Sequence, residues 1–138
     1  CIKNYERCME YKGSFAITKW DEDTLTEKPE GVKTSHATIA QTYSGDMSGE
    51  SSLELLMSYQ SQLAAKFTGF ETFIGAVNGM RGAVTFLHHG KFENGVASSD
   101  FSVVEGSATG ELAGKVISGS FVSGESGKAN YVIEVLDS

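Results

Sequence analysis

Two histidines stand side by side in TFLHHG (85–90), and a glutamate, Glu71, sits in the aromatic stretch FTGFETF (67–73). An imidazole and a carboxylate brought together can pass a proton between them, which is the equipment of general acid–base chemistry. Successive side chains of a strand point to opposite faces, so His88 and His89 occupy different environments. The strands around them decide which one is buried.

Two Asn-Gly steps allow the register to be counted. A two-residue turn at Asn94-Gly95 pairs Glu93 with Val96. Counting back collects Phe86, His88, Phe92, Phe101 and Val103 on one face and mainly polar residues on the other. The apolar face must be the inner one. His88 therefore points inward, and His89 points outward opposite Asp100, a surface pair worth little. A second two-residue turn at Asn78-Gly79 puts Phe67, Gly69, Glu71 and Phe73 on the face of Val84, Phe86 and His88. A four-residue loop through Arg81 keeps that parity and sets Glu71 directly across from His88. Gly69 is read as leaving space beside them.

One strand further out, parity depends on the connection around SQLA (61–64). An even connection puts Glu54 opposite Glu71 on the inner face, with Leu56 and Ser58. Leu53, Leu55, Met57 and Tyr59 then lie outside with Phe70, Ile74 and Leu87, an apolar patch of the kind that marks a subunit interface. An odd connection swaps the two sets.

The candidate catalytic set is Glu71 and His88 with Glu54, and Phe67, Phe73, Phe86, Phe101 and Val103 are the candidate ligand-binding residues. Burial penalises each charge unless it is paired. The plain alternative is a satisfied Glu71–His88 hydrogen bond that only fixes strand register. Glu54, Glu71 and His88 could in principle hold a metal, but their spacing carries no metal signature. No metal and no cofactor are expected. Ser51, Ser52 and the Ser-Gly steps read as turn residues remote from a histidine, so no serine nucleophile is expected. The glycine-rich GSATGELAG (106–114) has no phosphate fingerprint and no following helix, and it fits a tight crossover or bulge.

The elements that must hold these residues are strands. Runs rich in β-branched and aromatic residues fall at 14–20, 34–44, 51–59, 66–77, 82–92, 96–105, 116–122 and 130–136, separated by Gly, Asn and Ser clusters. Leu, Met and Ala in SLELLMSYQSQLAAKF favour a helix, but no sustained helical periodicity occurs. Acidic WDEDTLTEKPEG (20–31) holds the only proline and reads as a long loop. Residues 1–12 read as an N-terminal tail carrying Cys1 and Cys8 as incidental thiols, and 13–138 as a single domain. The fold expected is all-β: one antiparallel eight-stranded meander, closed or strongly curved.

Composition narrows the function classes. The 138 residues are 40% hydrophobic and 21% charged, well outside the disordered range. A net charge of −7 with scattered Lys and Arg leaves no basic stripe for phosphates, so nucleic acid is not an expected partner. No apolar run approaches the ~20 residues of a membrane-spanning helix. A cytoplasmic location is the default, with export and lipoprotein processing left open by the cysteine at position 1.

The order QTYSGDMSGE, LLMSY, FTGFE, FLHHG, NGVAS and GSATGELAG resembles the bacterial family of unknown function numbered 3224, from FAITKWDE (15–22) to NYVIEV (130–135). Its members resemble allene oxide cyclase barrels, which are eight-stranded and more distantly similar to plant dirigent proteins. The resemblance implies barrel closure and makes homo-oligomers an expectation, but it implies no reaction. Glu54, Glu71 and His88 fall on the family pattern, whereas His89 does not, and GSATG departs from GSGTG at Ala108. The function expected is binding of a small hydrophobic molecule inside the barrel, with isomerisation or cyclisation open. The rivals are a purely binding barrel and a structural or oligomerising protein with a filled interior.

Overall fold

Alternating residue types send one row of side chains from each strand inward, and closure of the sheet gives those rows a common interior. The computed structural model describes residues 8–124 and 126–137. Its strands are β1 (Cys8–Glu27), β2 (Lys33–Gly45), β3 (Met47–Ser61), β4 (Ala64–Val77), β5 (Met80–Glu93), β6 (Val96–Val103), β7 (Val116–Ser123) and β8 (Lys128–Leu136). Each pairs antiparallel with the next, and the first half of β1, Cys8 to Ala16, pairs with β8 and closes the sheet into a barrel.

Both Asn-Gly steps are two-residue turns. Their residues take positive φ (47° and 80° at Asn78-Gly79, 53° and 81° at Asn94-Gly95), as a type I′ hairpin demands. Val77 therefore faces Met80, and Glu93 faces Val96. The last hairpin buries Phe121, Tyr131, Ile133 and Val135 together, as its pattern suggests. GSATGELAG makes the crossover from β6 to β7, with a 3-10 turn at Gly110–Leu112 that drops Leu112 into the core.

The parity of β3 differs from the even-connection expectation. The turn itself, Gln62-Leu63, has two residues, but Gln60 is a bulge between the pairs Tyr59–Ala65 and Ser61–Ala64. One extra residue reverses every side chain beyond it. Leu53, Leu55 and Met57 are buried, while Glu54 and Leu56 lie outside and Ser58 is exposed. Tyr59 is half-buried. The expected outer patch shrinks to Phe70, Ile74 and Leu87, joined by Leu56.

Three other expectations change. The segment read as a loop at 20–31 is mostly strand: β1 continues to Glu27, paired with β2 as far as Lys33. Bulges between Ile17 and Lys19 and between Thr24 and Thr26 let this acidic hairpin follow the barrel's curvature. The expected tail is strand from Cys8 onward, paired with the end of β8, while residues 1–7 lie outside the described residues. Cys8 is disulfide-bonded rather than a free thiol, and Cys1, the chain's other cysteine, lies outside the described residues.

Gly69 leaves no empty space. A Cβ there would run into the Glu54 carbonyl of β3, and one at Gly75 would run into the Ser48 carbonyl. These glycines let β3 and β4 approach closely and coil. Gly75→Ala should cost about 1–3 kcal/mol of folding stability through overpacking, read as a lowered urea midpoint with an unchanged slope.

Candidate functional site

Glu71 on β4 and His88 on β5 both point inward and are fully buried. The two-residue turn pairs Glu71 with Phe86 and Gly69 with His88, so the carboxylate reaches the imidazole diagonally rather than straight across. His88 Nε2 lies 2.7 Å from Glu71 Oε1. Tyr43, from β2, donates to the other carboxylate oxygen at 2.5 Å. His88 Nδ1 meets Ser99 Oγ of β6 at 2.9 Å, and that hydroxyl also lies within reach of the His89 and Asp100 carbonyls. Each oxygen of Glu71 and each nitrogen of His88 thus has a partner, which is what a buried ionisable pair requires.

Serine, imidazole and carboxylate occur here in the order of a hydrolytic triad. Ser99 is only 5% exposed, and its hydroxyl lies within hydrogen-bonding reach of two backbone carbonyls as well as of the imidazole. The arrangement is a satisfied buried chain, not a presented nucleophile. Burial first, and then the neighbouring Glu71 charge, holds the Tyr43 hydroxyl well above the ordinary tyrosine range, so Tyr43 remains a donor.

Glu54 does not join this group. It sits on the outer wall, where it pairs with His36 at 2.7 Å in an exposed contact, worth ~0–1 kcal/mol. The three-residue metal set considered from sequence is therefore not assembled. His89 is exposed opposite Asp100, as the register count places it.

The five candidate ligand-binding residues separate. Phe73, Phe86 and Phe101 pack in the core around the polar chain, and Val103 is half-buried opposite Phe86. Only Phe67 lines the cavity that the barrel contains. This cavity, about 280 Å³, lies toward the end that carries the Gln62-Leu63 and Asn94-Gly95 turns. Its walls include Ile39, Leu53, Leu55, Met57 and Ala129, and its rim includes Trp20, Tyr59 and Phe92. Phe15 and Phe121 line it too, with Phe15 5.2 Å from the Tyr43 ring and Phe121 5.9 Å from the His88 ring, centroid to centroid. Those two rings separate the cavity from the Glu71–His88 pair, neither of which lines it.

Glu22 organises the rim. It accepts from the Trp20 indole at 3.1 Å and from the hydroxyl of fully buried Ser35. Partial burial alone would raise its pKa, but the bonds from Ser35, Trp20 and Tyr59 and the nearby Lys33 charge outweigh burial and leave it lowered. Partial burial and Glu22 together push Tyr59 up to about 12.

Sequence reasoning did not find Tyr43, Ser99, Gln41 or Ser51. Ser99 was legible in principle, since the Asn94-Gly95 count sets it opposite Gly90, one inward position from Phe101. Tyr43, Gln41 and Ser51 depend on the pairing of β2 with β3, for which the sequence offers no Asn-Gly marker.

Tyr43→Phe should cost about 1–3 kcal/mol at pH 8, because it strips a donor from a buried carboxylate oxygen. The folded-state pKa of Tyr43 lies above its unfolded value of ~10, so the stability tied to its proton is complete below that value and is lost as pH rises above it. Denaturant titrations should therefore show the gap between wild type and the variant narrowing from pH 8 to pH 11.

A search of curated proteins finds no match to this chain. Among solved structures, the barrel is similar to a protein of unknown function from the DUF3224 family of Shewanella oneidensis MR-1. The TM-score is 0.75 at 20% sequence identity, covering 95% of this chain and 98% of that one, a likeness of fold. A family model described as "Protein of unknown function (DUF3224)" matches residues 11–135, and this chain belongs to that family.

Proposed function

We propose that this protein binds a small, mostly apolar molecule in the cavity at the turn-bearing end of the barrel. The observation that carries this reading is the cavity itself: about 280 Å³, walled by Ile39, Leu53, Leu55, Met57 and Phe67 and rimmed by aromatic side chains. Removing apolar surface from water favours such an occupant at ~25 cal/mol per Å². Binding is favoured over isomerisation or cyclisation. The acid–base pair of Glu71 and His88 is fully hydrogen-bonded, and Phe15 and Phe121 stand between it and the cavity. The likeness to allene oxide cyclase barrels is part of this proposal and rests on strand order and sequence pattern. An oxidising location in place of the cytoplasmic default is a further part of the proposal, supported by the disulfide at Cys8.

An apolar cavity of about 150 Å³ accepts benzene, so this one suits a two-ring molecule. Naphthalene should bind wild type with an affinity measurable by fluorescence. Leu55→Trp, which fills the wall, should weaken it at least tenfold with an unchanged far-ultraviolet spectrum, and Ala129→Leu should act in the same direction. Absence of naphthalene binding to the wild type, or equal binding to all three proteins, overturns the proposal.

A further inference from the structure

The cavity wall contains one polar side chain that is as deeply buried as its apolar neighbours. Gln41 is 4% exposed, on β2, and faces Ser51 of β3. From the rim inward, β2 and β3 pair Lys33 with Tyr59, Ser35 with Met57, Ala37 with Leu55, Ile39 with Leu53, and then Gln41 with Ser51. Gln41 therefore lies at the deep end of the cavity, past four rows. A carboxamide offers two donors and two acceptor sites. The Ser51 hydroxyl supplies one hydrogen bond, to Oε1, at 3.4 Å, near the upper limit for such a bond. Burying an amide with so little return is costly, and a leucine or methionine would fill the position without that cost.

We propose that Gln41 is the specificity-determining anchor of the cavity, selecting a ligand with a compact apolar body and one neutral hydrogen-bonding group, a hydroxyl or a carbonyl, at its inner end. This rests on the binding reading above and adds the ligand's polarity and orientation. The apolar body lies against Leu53, Leu55 and Met57, and the polar group meets the carboxamide, which can donate or accept. A charged inner end does not fit, because among the described residues no ionised side chain lines the cavity beside Gln41 to compensate its lost hydration. The anchor is also wired to the core. Ser51 donates to Gln41 and is paired with Phe73 of β4, whose ring packs edge-on against Tyr43, the donor to Glu71.

Naphthalene and 2-naphthol share a body and differ by one hydroxyl, so they separate the two proposals. With wild type, 2-naphthol should bind about five- to tenfold more tightly than naphthalene, the return on one well-made buried hydrogen bond. In Gln41→Met the preference should disappear or reverse, while naphthalene affinity stays within about threefold of wild type. Should the variant fail to fold, nuclear magnetic resonance of wild type gives the same answer. The Gln41 side-chain amide resonances should move on saturation with 2-naphthol much further than with naphthalene. Equal affinities for the two probes in wild type, or a preference that survives Gln41→Met, overturns the anchor but leaves the binding cavity standing. Failure of both probes to bind overturns both.

Discussion

A carboxylate sealed in the middle of an apolar barrel is tolerable only if donors reach both of its oxygens, and that requirement ties four strands together. Tyr43 comes from β2, Glu71 from β4, His88 from β5 and Ser99 from β6. A one-residue slip in any of these strands would turn a member of the chain to solvent and leave its partners buried without bonds. Register is therefore fixed from inside as well as by the turns. Phe73, Phe86 and Phe101 pack around this chain and exclude the water that would otherwise compete for its hydrogen bonds.

The same barrel divides its interior by polarity. Around Glu71 and His88 the space is filled and every polar group is satisfied, as expected where rigidity matters. Toward the other end the walls are mostly apolar and the packing opens into a cavity, with Phe15 and Phe121 as the partition. Gln41 and Ser51 lie at the boundary, where Ser51 donates to Gln41 and faces the core residue Phe73 of β4. The division explains why an acid–base pair inside a ligand-sized barrel need not be a catalytic one: buried structural pairs and catalytic pairs use the same chemistry and differ in access.

The residues that could be read from sequence are those whose partners lie across marked turns. Asn-Gly steps fix loop length at two residues, so the inward placement of His88, Glu71 and their aromatic neighbours follows from counting. The β3 strand shows where counting fails. Its turn had the expected length, yet the bulge at Gln60 reversed the strand, exposing Glu54 and burying Leu53, Leu55 and Met57. Nothing in SYQSQLA marks that bulge, because a polar residue at a strand end is compatible with either parity. The acidic hairpin was missed for a related reason. Its composition suits solvent, but backbone pairing with β2 does not require apolar side chains.

Local chemistry by itself determined the strands other than the two ends of β1, the two I′ hairpins and the pairing of one carboxylate with one imidazole, because turn geometry and period-two alternation are short-range properties of the chain. Tertiary structure alone decided that Tyr43 and Ser99 complete the polar chain, that Phe15 and Phe121 wall it off, and that the open space belongs to Gln41 and the β3 leucines. Those relations join strands distant in sequence across a closed barrel. Their geometry is set by the curvature and bulges of the whole sheet, which no single segment encodes.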